Sequence, residues 1–292
     1  MNAIETSKLT KYYGNHLGIE NLDLQVAEGD FFGFIGPNGA GKSTTIRTLL
    51  GLIHPTSGSA KIMGLPIEEN RIPILSDIGY LPSEAAFYPN MKVKDLLSFS
   101  AELRHKDCAT EAKLLCERLE LDPTRKIREL SLGNRKKLGI ICALQHKPSL
   151  YILDEPTGGL DPLMQKEFYQ ILQERNLEGA TIFLSSHILS EISRYCKKAA
   201  VISEGHLLAC DSVAMLGHSG VKRVTLRGIS VLPSIPGIRD ITYNADTVRF
   251  LYSGMPKELM EHLARLTFTD ITIADPDPEE IFLHYYRKEG TE

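Results

Sequence analysis

The sequence lacks a long apolar segment of any kind. No run of about 18 or more apolar residues occurs in it, and residues 1–5 contain none of the apolar stretch that a secretory signal needs. We therefore expect a cytoplasmic chain that neither enters the secretory route nor crosses a membrane by itself.

An excess of basic charge and a pattern in the cysteines are also missing. Lys and Arg number 33 against 37 Asp and Glu, for a formal net charge of −4, and no basic stripe of the kind that neutralises a nucleic-acid backbone is visible. Nucleic acid is therefore not an expected partner. The five cysteines have no C-x-x-C spacing, which favours reduced structural thiols over disulfides or a zinc site.

What the sequence does contain is a glycine-rich loop of the form G-x-x-x-x-G-K-S at residues 36–43. A short apolar run at 30–35 precedes it, and residues 45–50 follow it with helical spacing. Strand, loop and helix in this order are the context in which the motif binds phosphate. The sequence therefore predicts a nucleotide site.

The residue types of this loop fit a triphosphate and a magnesium ion. Gly36, Gly39 and Gly41 lack a Cβ, so the backbone can turn successive N–H groups toward one anion. The helix that follows adds the partial positive charge of its N-terminus. Lys42 is placed for the β- and γ-phosphates, and the Ser43 hydroxyl is placed for Mg²⁺.

Strands and helices alternate as far as about residue 216, which favours a mainly parallel sheet. An antiparallel pair of strands is expected ahead of the loop, and the helical spacing from about 90 to 147 is interpreted as a helical insertion. The predicted strands cover residues 4–11, 19–26, 30–35, 59–63, 77–82, 150–153 and 180–184.

Two carboxylates close one of these strands. The apolar run Leu150–Leu153 ends on Asp154 and Glu155, as a central parallel strand with ligands at its carboxyl end does. Further on, Asp161 and Pro162 are predicted as the N-cap and first residue of a helix. A ligand is therefore expected at this edge of the sheet.

The pattern changes at about residues 214–220, where we place a domain boundary. Residues 221–292 carry short strands and helices without a further motif and are interpreted as a small α+β domain. The strands predicted there cover 223–226, 240–243, 248–252 and 269–273, and the helices cover 257–266 and 278–287.

The motifs that accompany the loop resemble those of the ATP-binding cassette (ABC) family. Leu130–Asn134 reads L-S-L-G-N and precedes the strand that ends on the two carboxylates. Tyr13 and residues 159–161 and 185–187 match the remaining family motifs in the family's order. The resemblance covers roughly residues 4 to 216.

This resemblance implies a fold and a catalytic set. The fold is an α/β P-loop NTPase cassette with a mainly parallel sheet core, an antiparallel β subdomain and a helical subdomain, followed here by the small C-terminal α+β domain. Glu155 is the implied base for the attacking water, His187 contacts the γ-phosphate, and Lys42 completes the set. Ser43 and Asp154 are implied to hold Mg²⁺.

ATP contacts are implied for a larger group of residues. Tyr13 is expected to stack on adenine, with Tyr12 as the competing candidate. Ser131 and Gly133 are assigned to ATP held by a second cassette, so that two ATP molecules lie between two chains. The group comprises Tyr13, Gly36, Asn38, Gly39, Ala40, Gly41, Lys42, Ser43, Thr44, Ser131, Gly133 and Asp161.

Two segments depart from the family pattern. The usual L-S-G-G-Q reads L-S-L-G-N here, and we expect Ser131 and Gly133 to carry the contact. After residues 80–82, where the family has a glutamine or glutamate that senses Mg²⁺ and the membrane partner, this chain has Ser83 and then Glu84. Either Glu84 substitutes, or Ser83 binds the metal through water.

The expected function is that of the ATP-binding and ATP-hydrolysing subunit of an ABC transporter. A homodimer of cassettes would drive export through a separate permease from the inner face of the membrane. Residues 278–286 resemble the C-terminal extensions of cassettes paired with multidrug, antibiotic-resistance and ABC-2-type export permeases. The alternative is a soluble ABC ATPase that acts on ribosomes or DNA, but the paired cassettes or long basic coiled coils usual in that class are not visible.

Overall fold

The computed structural model describes residues 1–217, 221–229, 231–232 and 235–275. The chain divides into two compact units, Met1–Val213 and Ala214–Glu292. In the described part of the chain, no helix has the length and apolar character that a bilayer crossing requires.

A six-stranded sheet forms the centre of the first unit. In spatial order its strands are β11 (His206–Ser212), β10 (Lys198–Ser203), β4 (Phe31–Ile35), β9 (Thr181–Ser186), β8 (Leu150–Asp154) and β7 (Ile78–Leu81). β11 is antiparallel to β10, and the other neighbours are parallel. Every residue of β4, β8 and β9 is buried, as in a sheet covered on both faces. The mainly parallel core expected from the sequence is confirmed.

β10 and β11 were not predicted, and both have weak strand signals. Ala199 and Ala200 lie within β10, and alanine has a low β-propensity. β11 is an edge strand whose residues are half-buried or exposed without regular alternation, so the period-two pattern that identifies a strand is missing.

A second, antiparallel sheet contains the beginning of the chain, as expected. It comprises β2 (His16–Leu22), β1 (Asn2–Tyr13), β5 (Ser57–Ile62) and β6 (Leu65–Pro66) in spatial order, with β3 (Gln25–Ala27) paired to another part of β1. The single strand predicted at 19–26 is wrong, because β2 and β3 separate at Asp23 and Leu24. There the Asp23 carboxylate accepts from the Lys8 N–H at 2.6 Å, and the Leu24 N–H donates to Thr6 Oγ1 at 2.8 Å. Side-chain hydrogen bonds thus join the backbone bond from the Thr6 N–H to the Leu24 carbonyl oxygen, at 2.9 Å, where the regular ladder is interrupted.

The helices of the first unit follow the predicted alternation with one addition. They are α1 (Lys42–Leu49), α2 (Arg71–Ser76), α3 (Val93–Glu102), α4 (Ala109–Arg118), α5 (Leu132–Leu144), α6 (Pro162–Leu177) and α7 (Leu189–Tyr195), with a 3-10 turn at Ile127–Glu129. α2 was not predicted; its Pro73 occupies the first turn, where no N–H needs an intrahelical partner. α3, α4 and α5 lie in the segment interpreted as a helical insertion.

One apolar cluster joins the antiparallel sheet, α1 and the central sheet. Ile4 and Leu9 of β1, Ile46 of α1, and Phe34 and Phe183 of the central sheet belong to it, and all five are fully buried. Each large apolar side chain buried in this way contributes about 1.5–3 kcal/mol. The cluster therefore holds α1, and the loop that leads into it, against the carboxyl ends of the strands.

Ion pairs attach the helical insertion to α6. Arg118 of α4 donates from Nε to Glu167 at 2.6 Å and from Nη2 to Glu174 at 2.9 Å. The hydrogen bond from Arg118 lowers the pKa of the Glu174 carboxyl. Glu111, also on α4, pairs with the buried Arg175 of α6. These contacts fix α4 relative to the central sheet.

The described part of the second unit contains a four-stranded sheet, one helix that lies wholly within it, and most of a helix that begins at the last residue of the first unit. α8 (Val213–Gly217) runs into it from the first unit, where an irregular boundary was expected. The sheet order is β13 (Ile238–Asn244), β14 (Thr247–Ser253), β12 (Val221–Arg227) and β15 (Asp270–Ala274), all antiparallel, and α9 (Pro256–Leu263) follows β14. Val224, Phe250 and Leu259 share its apolar cluster. The helix predicted at 278–287 lies outside the described residues.

Candidate nucleotide site

The glycine-rich loop connects β4 to α1 in a conformation that requires glycine. Gly39 and Gly41 have φ of 84° and 105°, in the left-handed region that a Cβ makes costly. A Cβ on Gly36 would lie 2.4 Å from the Ile202 carbonyl oxygen, and one on Gly41 would lie 2.6 Å from that of Gly18. Backbone conformation and close packing therefore both select glycine here.

The Lys42 ammonium lies against the loop from which it extends. Its side chain is buried, and Nζ donates to the carbonyl oxygens of Gly36 at 2.7 Å and Pro37 at 3.1 Å. The Glu155 carboxylate lies 3.1 Å from the same nitrogen. A positive charge is thus held beside the backbone N–H groups of the loop, where an anion is bound best.

Asp154, the last residue of β8, is a buried acceptor of two hydroxyl groups. Ser43 Oγ donates to its Oδ2 at 2.7 Å and Ser185 Oγ donates to its Oδ1 at 2.6 Å. Among the described residues, no three His, Cys, Asp or Glu side chains cluster as a complete metal site. Asp154 and Ser43 supply hard oxygen donors, which fit Mg²⁺ that keeps water and phosphate oxygens as its other ligands.

Glu155 follows Asp154 but turns out of the strand. Its φ is 48°, a left-handed conformation that costs a non-glycine residue on the order of 1–3 kcal/mol. Its carboxylate lies between Lys42 and His187, whose Nδ1 is 2.6 Å from Glu155 Oε2. Because a carboxylate oxygen accepts hydrogen bonds, Nδ1 is the donor in this contact.

A cavity of about 330 Å³ contains much of the predicted set. Tyr13, Lys42, Ser43 and Glu155 line it together with glycines of the loop. A neighbouring cavity of about 710 Å³ is lined by Asn38, Glu155 and His187. The structure therefore brings the loop, the carboxylates, the histidine and one tyrosine to a single region at the carboxyl ends of the strands.

Comparisons with known proteins fit this geometry. Residues 19–158 match the family model described as ABC transporter. The bacitracin transport ATP-binding protein BcrA of Bacillus licheniformis is 43% identical over 211 residues, which are 70% of this chain and 68% of that protein. This chain belongs to the ABC transporter family. The Enterococcus faecalis protein of the same name is 33% identical over 293 residues, 96% of this cassette and 95% of its own length.

The cassette fold is confirmed at the level of structure. A solved ATP-binding subunit of an ABC transporter superposes on this cassette with a TM-score of 0.70 at 28% identity, and the match covers 73% of this chain and 91% of the other. The resemblance to the ABC family is therefore confirmed. The function that it implied, that of a transporter ATP-binding subunit, is confirmed as well. The cassette is an ATP-binding subunit of an ABC transporter.

The two tyrosines considered for adenine have different surroundings in the cassette. Tyr13 lines the loop cavity with 43% of its surface exposed, and Lys11 Nζ lies 5.3 Å from its ring centroid. The Tyr12 hydroxyl instead donates to Glu20 at 2.8 Å, and this bond raises the pKa of Tyr12. The open aromatic face at the site belongs to Tyr13.

Three predicted residues lie away from the loop cavity of their own chain. Ser131 is the N-cap of α5 and its Oγ accepts from the Asn134 N–H at 3.2 Å. Gly133 packs against Gly159, whose carbonyl oxygen would lie 2.8 Å from an added Cβ. Asp161 caps α6 by accepting from two backbone N–H groups. None of the three lines the cavity that contains Lys42.

One residue at the site has no counterpart in the sequence-based set. Lys136 is buried on α5, and its Nζ donates to the carbonyl oxygens of Glu155 at 2.8 Å and Ser83 at 3.1 Å. The only signal in the sequence was a lysine on the apolar side of a helix. This signal does not identify the partners of Lys136, because the carbonyl groups that it contacts belong to distant segments. Ser83 itself lines the loop cavity, whereas Glu84 lines only the neighbouring one.

Proposed function

We propose that this cassette hydrolyses ATP and thereby drives export through a separate membrane permease. The observation that supports hydrolysis most strongly is the Glu155 carboxylate held between Lys42 and His187 beside the phosphate-binding loop. A carboxylate in that place can accept a proton from water that attacks a phosphate bound by the loop.

The phosphates would be bound by the loop backbone and Lys42. ATP would replace the carbonyl contacts that Lys42 makes with Gly36 and Pro37, because a phosphate offers a charged acceptor to the same ammonium. Ser43 and Asp154 would hold Mg²⁺, which supplies charge neutralisation at the phosphate oxygens when it is bound. For these steps we assign ATP contacts to Gly36, Asn38, Gly39, Ala40, Gly41, Lys42, Ser43 and Thr44.

The proton and the water are assigned to Glu155 and His187. Glu155 Oε2 accepts the proton of the attacking water, and the His187 ring orients this carboxylate through Nδ1–H. We assign the other ring nitrogen of His187, Nε2, to the γ-phosphate. Tyr13 provides the flat apolar face on which adenine stacks.

A second chain would complete the site. Ser131 and Gly133 open α5, a helix of 13 residues whose N-terminus carries a partial positive charge. They lie outside the loop cavity of their own chain, so we assign them to the γ-phosphate of ATP bound by the partner cassette. Asp161, at the start of α6, is assigned to the same interface.

The assignment to export rests on the relatives. Two of them are named as bacitracin transport ATP-binding proteins, and such a name concerns those proteins. For this cassette we propose export through a permease that selects the cargo, with residues 1–216 as the ATP-binding domain and 221–292 as a separate C-terminal domain. The cassette would then lie on the inner face of the membrane.

Purification from membranes tests the transport assignment. The tagged cassette, expressed in its own host and extracted with mild detergent, should retain a hydrophobic partner protein, and the complex should hydrolyse ATP. The Lys42→Ala variant serves as the matched control, because it should keep the partner and lose hydrolysis. Recovery with ribosomes or DNA, and without a membrane protein, would instead support the soluble alternative, which no relative named above favours.

A further inference from the structure

Lys136 is a buried lysine whose charge is held by backbone carbonyl groups. Only 7% of the residue is exposed, and Nζ donates to the carbonyl oxygens of Glu155 at 2.8 Å, Ser83 at 3.1 Å and Pro82 at 3.5 Å. Among the described residues no carboxylate lies within ion-pair distance of it. The three carbonyl groups match the three N–H donors of an ammonium.

Burying an ammonium group in this way lowers the stability of the fold, so its presence points to a role other than stability. A buried lysine without an ion pair loses hydration that carbonyl groups only partly replace. Burial accordingly lowers the pKa of Lys136, while the nearby charges of Asp154 and Glu155 oppose that change. An apolar side chain of similar length would fill the same space without this cost.

We infer that Lys136 is a positioning residue that joins three parts of the nucleotide site: the N-terminal part of α5, the loop that follows β7, and Glu155. The inference rests on the proposed function, since Glu155 and Ser131 have their roles only in ATP hydrolysis by a dimer. It adds a residue to which no motif of the sequence assigned a role.

The contact with Glu155 bears on the orientation of the proposed base. Glu155 adopts φ of 48°, and the bond from Lys136 Nζ fixes the carbonyl group of that same residue. Holding the carbonyl group restricts rotation about the backbone on which the Glu155 carboxylate is mounted. Without the ammonium, the residue is free to relax toward the extended conformation and to move its carboxylate away from Lys42 and His187.

The contact of Lys136 with the loop after β7 links movement of α5 to movement of that loop. Ser83 lines the loop cavity, and Lys136 lies on the same helix as Ser131, five residues further on, about one and a half turns. A helix moves as a rigid element, so a shift of Ser131 toward ATP of a partner chain also shifts Lys136. The carbonyl contacts at Pro82 and Ser83 pass that shift to the loop.

Lys136→Met tests the inference, because methionine keeps the length of the stem and removes the charge and the donors. Turnover should fall about ten- to a hundredfold, as expected when a reacting group is displaced, while the Kd for ATP should stay within about twofold of the parent value. Lys113→Met is the matched control, since Lys113 is 80% exposed on α4, and it should leave both quantities unchanged.

Amide hydrogen exchange supplies a readout that is independent of activity. In the nucleotide-free cassette, peptides that cover residues 82–86 and 155–159 should exchange about tenfold faster in Lys136→Met, with peptides of β12 and β14 unchanged. If Lys136→Met does not fold, Lys136→Leu, which also lacks any donor, takes its place with the same expectations. Unchanged turnover, or exchange that rises equally throughout the chain, would overturn the inference.

The outcomes separate this inference from the proposed function. If the parent cassette hydrolyses ATP and Lys136→Met does so at the same rate, only the role of Lys136 is wrong. If the parent protein shows no hydrolysis under any condition, the proposed function fails, and the exchange measurement still decides whether Lys136 holds the two segments.

Discussion

Adjacent carboxylates at the end of β8 differ because the strand ends between them. Asp154 is still in the sheet, where it is 2% exposed and accepts hydrogen bonds from Ser43 and Ser185. Glu155 leaves the sheet in a left-handed conformation and reaches Lys42 and His187. One carboxylate is therefore placed to hold a cation, and its neighbour is placed to accept a proton.

The first prediction at this scale concerns Glu155→Gln. The amide keeps the size of the side chain but cannot take a proton from water, so turnover should fall by about 10²–10⁴. ATP binding, measured by fluorescence titration with a labelled nucleotide, should stay close to the parent value. A variant that hydrolyses ATP at the parental rate would remove Glu155 as the base.

The second prediction concerns Lys42→Ala. This change removes the ammonium that lies 2.7 Å from the Gly36 carbonyl oxygen. Bound ATP then loses the charge-assisted hydrogen bond from Lys42 to its phosphate, which is worth about 1.5–3 kcal/mol. Binding of ATP should weaken about tenfold or more, as titration calorimetry can measure. Lys113→Ala, on the exposed face of α4, is the control, and equal affinity in both variants would contradict the assignment of Lys42 to phosphate.

The third prediction concerns pH and His146. Burial, together with the charge of Arg104, lowers the pKa of His146 from 6.5 to about 4, and Nε2 lies 3.2 Å from the Ile78 carbonyl oxygen. Since the unfolded chain binds the proton more tightly, this stabilising contribution is complete above about pH 6.5 and is lost as the pH falls toward 4. One pKa unit corresponds to about 1.4 kcal/mol, so the loss amounts to about 3 kcal/mol.

Urea unfolding at pH 7.5 and pH 4.5 measures this contribution. The parent should lose more stability between the two pH values than His146→Gln, because the variant has no imidazole to protonate. His54→Gln, at an exposed position, should behave as the parent does. Equal losses in the parent and in His146→Gln would show that His146 titrates normally in the folded protein.

Individual residues of the site could be predicted where their roles follow from neighbours in sequence. The loop glycines, Lys42 and Ser43 are contiguous, and their spacing alone sets the geometry of a phosphate cradle. Lys136 could not be predicted in this way. Its partners, Ser83 and Glu155, are 53 and 19 residues away, so the contact exists only once β7, β8 and α5 have packed.

At the scale of elements, the central strands were predictable and the edges were not. β4, β8 and β9 are buried on both sides and therefore consist of continuous apolar runs. β10 contains alanines and β11 has no alternation, so the pairing of β10 with β4 and of β11 with β10, rather than local propensity, makes them strands. The break between β2 and β3 depends on side-chain contacts with β1, and the sequence around the break does not predict these contacts.

The fourth prediction concerns the attachment of the helical insertion. Arg118 of α4 bonds to Glu167 and Glu174 of α6 while only 20% of its side chain is exposed. Arg118→Met should lower the free energy of unfolding by about 1–2 kcal/mol, more than an exposed pair contributes, because two carboxylates lose a partly buried cation.

Urea denaturation of Arg118→Met against Lys113→Met isolates this effect. Both substitutions lie on α4, but the ion pair of Lys113 with Glu117 is exposed and spans 4.0 Å. The control should therefore change stability by less than about 0.5 kcal/mol. Equal stabilities of the two variants would mean that the contacts of Arg118 are not formed in solution.

At the scale of the whole molecule, the proposed function requires a nucleotide site that is complete only between two chains. The loop, Glu155 and His187 lie together in one chain, whereas Ser131 and Gly133 open α5 outside the cavity that contains Lys42. The Asn134 N–H donates to Ser131 Oγ, and the other N–H groups at the N-terminus of α5 are available to an anion. ATP is accordingly expected to act as a reversible link between two cassettes.

The mass of Glu155→Gln in solution, determined by light scattering after size exclusion, tests this central claim most directly. With ATP and Mg²⁺ the variant should elute at twice the chain mass of 32.5 kDa, since slow turnover preserves the bound ATP, and without nucleotide it should elute as a single chain. Adding Ser131→Arg to the same variant should prevent the dimer. A species that binds ATP with full affinity and yet stays at the mass of one chain would contradict the shared site.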